Sequence, residues 1–312
     1  MYIGIDVGGT NLKAGLVDKS GQVVSVFRKP LDFQGAEPFA ETLATLASQV
    51  IQDAGISTSD VEYVGIGIPG AVRGGDILYT ANIPMRDVPL EKLFRKHLDL
   101  PVLLANDADC AAAGEYLFGA GRGTENFMIL TLGTGIGGGF ILNNKLYVGM
   151  GCAGEVGHMM IVPNGVPCNC GRHGCWESYA SATGLIRLAQ EAMEQHPESL
   201  LHELAKKNGC VEGKTVFQAA QNDDATALTV CHDYVNYLAA GVTNLVNILH
   251  PEVVAIGGGI AAAPDELLLN PLQESVNANC YGRSLGLYSK ITHAEMGNDA
   301  GIIGAALIKR IL

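Results

Sequence analysis

Three thiols fall within eight residues in Cys168-Asn169-Cys170-Gly171-Arg172-His173-Gly174-Cys175, and His158 lies ten residues upstream of the first. Three thiolates and one imidazole complete a tetrahedral Zn²⁺ shell. Four protein ligands leave no open position, so Cys168, Cys170, Cys175 and His158 are expected to form a structural site. Gly171 and Gly174 let the loop close around one point. His173 competes for the fourth position, but it sits between the two glycines and beside Arg172. A redox pair or free thiols is the alternative use of such spacing. Cys110, Cys152, Cys210, Cys231 and Cys280 are scattered and read as small core residues.

Carboxylates gather around the same histidine. Glu155 stands three residues before His158, and Glu177 follows the cysteine run directly. With a cation on one ring nitrogen of His158, the other is open to a hydroxyl. Two further acids, Asp6 and Asp107, close apolar strand-like runs, and a carboxylate at a strand's C-terminal end faces the crevice where ligands bind in α/β sheets. Phosphoryl transfer needs a carboxylate that handles a metal ion and a base near the acceptor hydroxyl. Asp6 is the expected holder of Mg²⁺ or its waters, and Asp107 the expected base. Asn106, Asp107, Glu155, His158 and Glu177 together would make a polyol-binding set. The plainer readings are solvated glutamates at 155 and 177, and at Asp107 an N-cap for a helix over 108–117.

Glycine turns supply the other half of such chemistry. Gly133-Thr134-Gly135-Ile136-Gly137-Gly138 and Gly65-Ile66-Gly67-Ile68-Pro69-Gly70 both fit G-x-G-x-x-G on paper. Neither is a dinucleotide fingerprint, because that motif needs a helix N-terminus after the turn. A hairpin strand follows the first and a proline turn the second. In a hairpin, glycines and one threonine aim backbone N–H groups and a hydroxyl at phosphate oxygens. Gly8-Gly9-Thr10 and Gly133-Thr134-Gly135 would grip a triphosphate from two sides. Val253–Ile256, Gly257-Gly258-Gly259 and a helix expected from about Pro264 form a strand–turn–helix suited to the nucleoside end. Tight chain reversal alone is the plain explanation for any one of these turns.

The elements that must carry these groups follow from periodicity. Strands are expected over 3–7, 14–17, 23–27, 64–68, 102–105 and 127–132, with hairpins around Asp18-Lys19-Ser20-Gly21 and Asn143-Asn144. Phe39, Leu43, Leu46 and Val50 recur at helical spacing. Strand, glycine-threonine turn and hairpin occur near 3–27 and again near 127–150. This layout repeat predicts two similar α/β domains whose cleft is the working site. The boundaries expected are 1–118 for the first, 119–297 for a larger second domain with the zinc loop and a dimerisation surface, and a helix over about 298–312 packing back on the first. At 312 residues and 48% hydrophobic, the chain has length for about two domains and material for their cores. A net charge of −12 disfavours non-specific binding to nucleic acid. The longest uncharged stretch, 126–144, is broken by five glycines and makes a poor membrane helix. No signal peptide is visible, and eight cysteines in a chain this long do not suggest a secreted disulfide scaffold, so a cytoplasmic location is expected.

These residues resemble the ROK family of sugar kinases and related repressors, within the actin–hexokinase–Hsp70 superfamily, over essentially the whole chain. Asp6-Val7-Gly8-Gly9-Thr10 is similar to the family's first phosphate motif, and 132–139 to its second. Asn106-Asp107 is similar to its catalytic pair, Gly257-Gly258-Gly259 to its adenosine-side loop, and Glu155 to His158 with the C-x-C-G-x-x-G-C-x-E run to its most specific signature. The resemblance implies an actin-like ATPase (ribonuclease H-like) fold, with ATP, Mg²⁺ and a structural Zn²⁺. It implies Asp107 as base and hexose contacts from Gly70, Asn82, Asn106, Asp107, Glu155, His158 and Glu177. Nucleotide contacts are implied at Asp6, Gly8, Gly9, Thr10, Asn11, Lys13, Thr134, Gly135, Gly257, Gly258 and Gly259. Domain closure on the sugar and a homodimer are implied as well. Residues 177–181 and 297–301 look most like the family's glucokinases. Met85 departs from many relatives, which carry tryptophan after the Asn82-Ile83-Pro84 stretch, and this leaves the hexose open. An N-acylmannosamine kinase, a fructokinase and a non-catalytic sugar sensor are the rival readings, with polyphosphate as the rival donor. The helix-turn-helix of the family's repressors is not expected, since the first strand starts at residue 2.

Overall fold

The structure is a computed structural model and describes residues 1–80 and 83–312. In chain order the elements are β1 (Tyr2–Val7), β2 (Asn11–Val17), β3 (Val23–Pro30), α1 (Ala36–Asp53), β4 (Val64–Ile68), β5 (Gly70–Arg73), β6 (Asp76–Thr80), β7 (Arg86–Val88), α2 (Leu90–Phe94), β8 (Val102–Asn106) and α3 (Asp107–Phe118). Then come β9 (Phe127–Leu132), β10 (Ile136–Leu142), β11 (Lys145–Leu146), α4 (Glu177–Ala180), α5 (Ala182–Gln195), α6 (Leu200–Asn208), α7 (Gly213–Gln221) and α8 (Ala225–Leu249). The chain ends with β12 (Val253–Gly257), α9 (Leu269–Asn279), β13 (Lys290–His293) and α10 (Ala300–Leu307).

The layout repeat is present as two five-stranded sheets, ordered β3-β2-β1-β4-β8 and β11-β10-β9-β12-β13. In the first, β1–β2 and β2–β3 are antiparallel hairpin pairs, while β1–β4 and β4–β8 are parallel. The second pairs β10 with β11 antiparallel and β12 with β13 parallel. A third, small antiparallel sheet is β5-β6-β7. Asn143 and Asn144 both take positive φ (53° and 64°), the conformation a two-residue type I′ hairpin requires. Two compact units result, one of residues 1–129, 139–154 and 295–312, the other of 130–138 and 155–294.

Alternation along β1 explains how the first unit is built. Ile3, Ile5 and Val7 join Phe39, Leu43, Leu46 and Val50 of α1 in one apolar core, as the helical spacing predicts. Gly4 and Asp6 face the other way, toward α10. A Cβ at Gly4 would lie 1.8 Å from the Ile302 carbonyl oxygen, and one at Gly65 of β4 1.8 Å from that of Ala305. The missing side chains therefore let α10 lie against the sheet backbone. Tyr2, Val17, Tyr63, Ile302, Ile303, Ala306 and Leu307 seal that face.

Three expectations need correction. The helix after Gly257-Gly258-Gly259 does not start near Pro264: a short 3₁₀ turn over Gly259–Ala262 comes first, and α9 begins only at Leu269. The C-terminal helix is shorter than 298–312, with 3₁₀ turns at Gly297–Asp299 and Ile308–Arg310 flanking α10. Cys152 and Cys210 are exposed, whereas Cys110, Cys231 and Cys280 are buried. Met85 is a core residue of the first unit.

Candidate active site and metal centre

The cysteine loop folds on itself through two backbone bridges, Met160 with Cys175 and Pro167 with His173. Cys168 N–H donates to the Arg172 carbonyl (2.8 Å) and Gly171 N–H to that of Cys168 (3.0 Å). Gly174 takes φ 76°, and a Cβ there would strike the Val162 carbonyl oxygen at 1.7 Å. This turn brings one ligand atom each from His158, Cys168, Cys170 and Cys175 within 4.8 Å of one another. Cys168 Sγ lies 3.7 Å from His158 Nδ1, and Cys170 Sγ lies 3.6 Å from Cys175 Sγ. A tetrahedral Zn²⁺ with bonds of about 2.3 Å has S···S edges of about 3.8 Å, so the donor set and its spacing fit that ion. His173, which pairs across a backbone bridge with Pro167, is not part of the group. Arg172 donates to the His158 carbonyl (2.9 Å) and holds the two ends of the loop together. The fully buried Trp176 anchors the loop from below by donating its indole N–H to the Tyr237 carbonyl (2.9 Å).

With Nδ1 turned to Cys168, the Nε2 of His158 faces outward, 4.0 Å from Glu155 Oε2. Glu177 begins α4, and its Oε2 accepts from Ile136 N–H (3.0 Å). That bond reaches the turn Gly133-Thr134-Gly135, which is also held by Ala182 N–H donating to the Gly133 carbonyl (2.8 Å) and Thr183 Oγ1 donating to that of Thr134 (2.9 Å). Ala182 and Thr183 were missed at the sequence level, since a serine-alanine-threonine run signals only a helix start. Gly258 is required by the fold: it has φ 84°, and a Cβ would crowd the Leu132 backbone at 2.4 Å. Gly9, Gly133 and Gly259 are different. A Cβ at any of them meets nothing within 4 Å, and none has positive φ. The protein itself has no steric need for glycine there, which fits loops kept bare for a ligand's approach.

In the first unit, β8 runs into α3 through Asn106-Asp107. Asn106 is the N-cap: its Oδ1 accepts from Ala108 N–H (2.8 Å) and its Nδ2 donates to the Gly70 carbonyl (3.2 Å). Gly70, Asn106 and Asp107 are thus brought together. Asp107 is the first helical residue, its Oδ1 also within reach of Ala108 N–H (2.9 Å). Capping therefore falls to the asparagine and not, as the plainer reading had it, to the aspartate. Asp6 pairs in register with Gly67 of β4, and a Cβ at Gly67 would lie 3.1 Å from Cys110 Sγ and 3.6 Å from Asp107 Cα. Burial pushes the Cys110 thiol well above its ordinary value, and the carboxylates of Asp109, Asp6 and Asp107 push it further. Asp6 itself titrates above the usual carboxylate range because burial outweighs the attraction of Lys13. A buried carboxylate held up in this way is suited to a cation, which would restore its charge.

Lys13, expected among the nucleotide contacts, is buried, and its ammonium donates to the Asn298 carbonyl (2.6 Å) and Asp299 Oδ1 (2.5 Å). Gly8 N–H donates to the Asn11 carbonyl (2.9 Å), leaving Gly9, Thr10 and Asn11 exposed at the tip of the first glycine turn. Asp299 and the buried Glu115 escaped the sequence reading. Glu115 accepts from Ala120, Glu295 and Met296 N–H groups (2.7–3.0 Å), and only the acidic residue inside an alanine-rich helix hinted at it. Asn82 lies outside the described residues.

The ROK family model matches residues 2–310. The glucokinase of Halalkalibacterium halodurans is 39% identical over 99% of this chain and 95% of its own. The xylose repressor of Bacillus subtilis is 30% identical over 98% of this chain, which spans 76% of the repressor's length. Among solved structures, a ROK family glucokinase from Streptomyces griseus, in complex with glucose and AMPPNP, aligns with TM-score 0.83 and 35% identity, covering 98% of each chain. The mixed α/β fold is the actin-like ATPase fold expected from the sequence. With nearly its whole length matched and the Cys₃His cluster in place, the chain belongs to the ROK family.

Proposed function

We propose that this protein transfers the γ-phosphoryl group of ATP to a hexose, with glucose as the substrate and glucose 6-phosphate as the product. The observation that carries this reading is the division of labour at the start of α3. Asn106 is the N-cap and is tied to the Gly70 carbonyl, and Asp107 follows it as the first helical residue at the C-terminal end of β8. Family membership and the likeness to two glucokinases support the same reading.

Asp107 takes the proton from the attacking 6-hydroxyl. The oxygen–phosphorus bond forms as the bond between γ-phosphorus and the bridging oxygen breaks, and ADP leaves with that electron pair. Asn106 fixes the start of α3 and, through the Gly70 carbonyl, the neighbouring β5 turn. Glu155, His158 and Glu177 are the proposed contacts to the remaining sugar hydroxyls, and Gly70 and Asn82 are further proposed sugar contacts. Cys168, Cys170, Cys175 and His158 would hold Zn²⁺, which would fix the imidazole and leave its Nε2 open to a sugar hydroxyl. Asp6 is the proposed holder of Mg²⁺, which when bound neutralises charge on the phosphates. Gly8, Gly9, Thr10, Asn11, Thr134 and Gly135 are the proposed phosphate contacts, and Gly257-Gly258-Gly259 the adenosine side. Lys13 is retained as a nucleotide-side residue, acting through the Asp299 turn that it grips. Homodimeric assembly and a cytoplasmic location belong to the same proposal. Among the described residues no helix is long and apolar enough to cross a membrane.

The test is a coupled ADP-release assay with glucose, mannose, fructose, allose, N-acetylglucosamine and N-acetylmannosamine, run with ATP and repeated with polyphosphate. Fastest turnover on glucose with ATP is expected. Preference for N-acetylmannosamine or fructose replaces the substrate, and sugar binding without turnover on any of them replaces the kinase with a sensor.

A further inference from the structure

The second glycine-threonine turn is held from outside. Within itself, Gly133 N–H donates to the Gly135 carbonyl (3.0 Å). Three further bonds come from residues 177–183: Glu177 Oε2 accepts from Ile136 N–H, Ala182 N–H reaches the Gly133 carbonyl, and Thr183 Oγ1 reaches that of Thr134. The contact is close as well as polar. A Cβ on Gly135 would lie 2.1 Å from Glu177 Oε2, and one on Gly157, just before His158, would lie 2.5 Å from the Ile136 carbonyl oxygen. Residues 177–183 follow directly on Cys175 and the buried Trp176, so the part that grips the turn is itself fastened to the metal loop.

We propose that Glu177 is a positioning residue for the phosphate turn, in addition to its contact with the sugar. By holding the Ile136 N–H it fixes the turn so that Thr134 and Gly135 present their own donors to the nucleotide. This rests on the proposed phosphate role of that turn. A carboxylate accepting from a backbone N–H is a charge-assisted bond, stronger than a neutral one. Its loss is expected to release the turn before any sugar is present.

The experiment measures binding of a non-hydrolysable ATP analogue with Mg²⁺, in the absence of sugar, by titration calorimetry. Backbone amide exchange across 133–137 is followed in parallel. The proteins are wild type, Glu177→Ala, Glu177→Gln and Thr183→Val. Glu177→Ala is expected to weaken nucleotide binding by about tenfold and to speed exchange of the turn. Glu177→Gln keeps an acceptor oxygen and is expected to restore both to within about threefold of wild type. Thr183→Val touches no proposed sugar contact. It is expected to raise the KM for ATP with the KM for sugar unchanged, and it carries the test if Glu177→Ala does not fold. Sugar-free nucleotide affinity and exchange unchanged in Glu177→Ala, or in Thr183→Val where Glu177→Ala does not fold, overturn the inference while leaving the kinase reading intact. A wild-type protein that binds no nucleotide overturns both.

Discussion

Asn106 and Asp107 are adjacent, both polar and both at the start of α3, and the structure predicts opposite outcomes for removing them. Asn106→Ala deletes the N-cap bond to Ala108 N–H, a loss of about 1 kcal/mol. It also deletes the bond to the Gly70 carbonyl, another ~1 kcal/mol. Two such losses lower the thermal midpoint by about 4–8 °C for a domain of this size. Asp107→Asn keeps the cap and keeps an oxygen near Ala108 N–H, so the expected cost is under about 1 kcal/mol. Its effect falls on turnover, because an amide cannot take the proton of the attacking hydroxyl, and kcat is expected to fall by about 10²–10⁴. The measurement is a melting curve followed by circular dichroism together with coupled ADP release at saturating glucose. An Asp107→Asn protein that melts as early as Asn106→Ala, yet retains turnover within about tenfold of wild type, refutes the base assignment and returns Asp107 to a structural role.

Gly65→Ala places a Cβ against the Ala305 carbonyl at 1.8 Å and must push α10 off the sheet. A cost of about 1–3 kcal/mol or more is expected in urea unfolding, whereas Gly9→Ala, with open space around it, is expected to stay within about 0.5 kcal/mol of wild type and to weaken nucleotide affinity instead. Elemental analysis is expected to find zinc at one ion per chain. Cys175→Ser or exhaustive chelation is expected to remove it and lower the melting midpoint, and a protein that never held zinc but melts unchanged contradicts the site. Asp6 titrates above its ordinary range because it is buried, so the folded state binds a proton that the unfolded chain releases first. Its favourable contribution is full below the unfolded carboxylate value and is lost as pH rises through the folded one. Asp6→Asn is therefore expected to raise stability at neutral pH, to flatten the fall in stability above pH ~4, and to abolish turnover. Melting curves from pH 4 to 8 with no difference in slope between wild type and variant would count against it.

What could be read from the sequence alone was local. The Cys₃His spacing, the asparagine hairpin at 143–144, the alternation in β1 and the α1 stripe of Phe39, Leu43, Leu46 and Val50 each lie within a few turns of chain. There, ligand count, turn geometry and periodicity act directly on neighbouring residues. The repeat of strand, glycine turn and hairpin was visible for the same reason, and it gave the two matching sheets. Only the tertiary structure decided which of two adjacent polar residues caps α3, because that depends on where the Gly70 carbonyl arrives from 36 residues away. It decided that Glu177 grips Ile136 across 41 residues and that Lys13 pairs with Asp299 across 286. It also separated glycines that make room for α10 from glycines that face open space, a distinction no glycine spacing carries. The physical reason is common to all of these: a contact between distant segments leaves no periodicity in either one, and its partner is chosen by packing that exists only once the chain has folded.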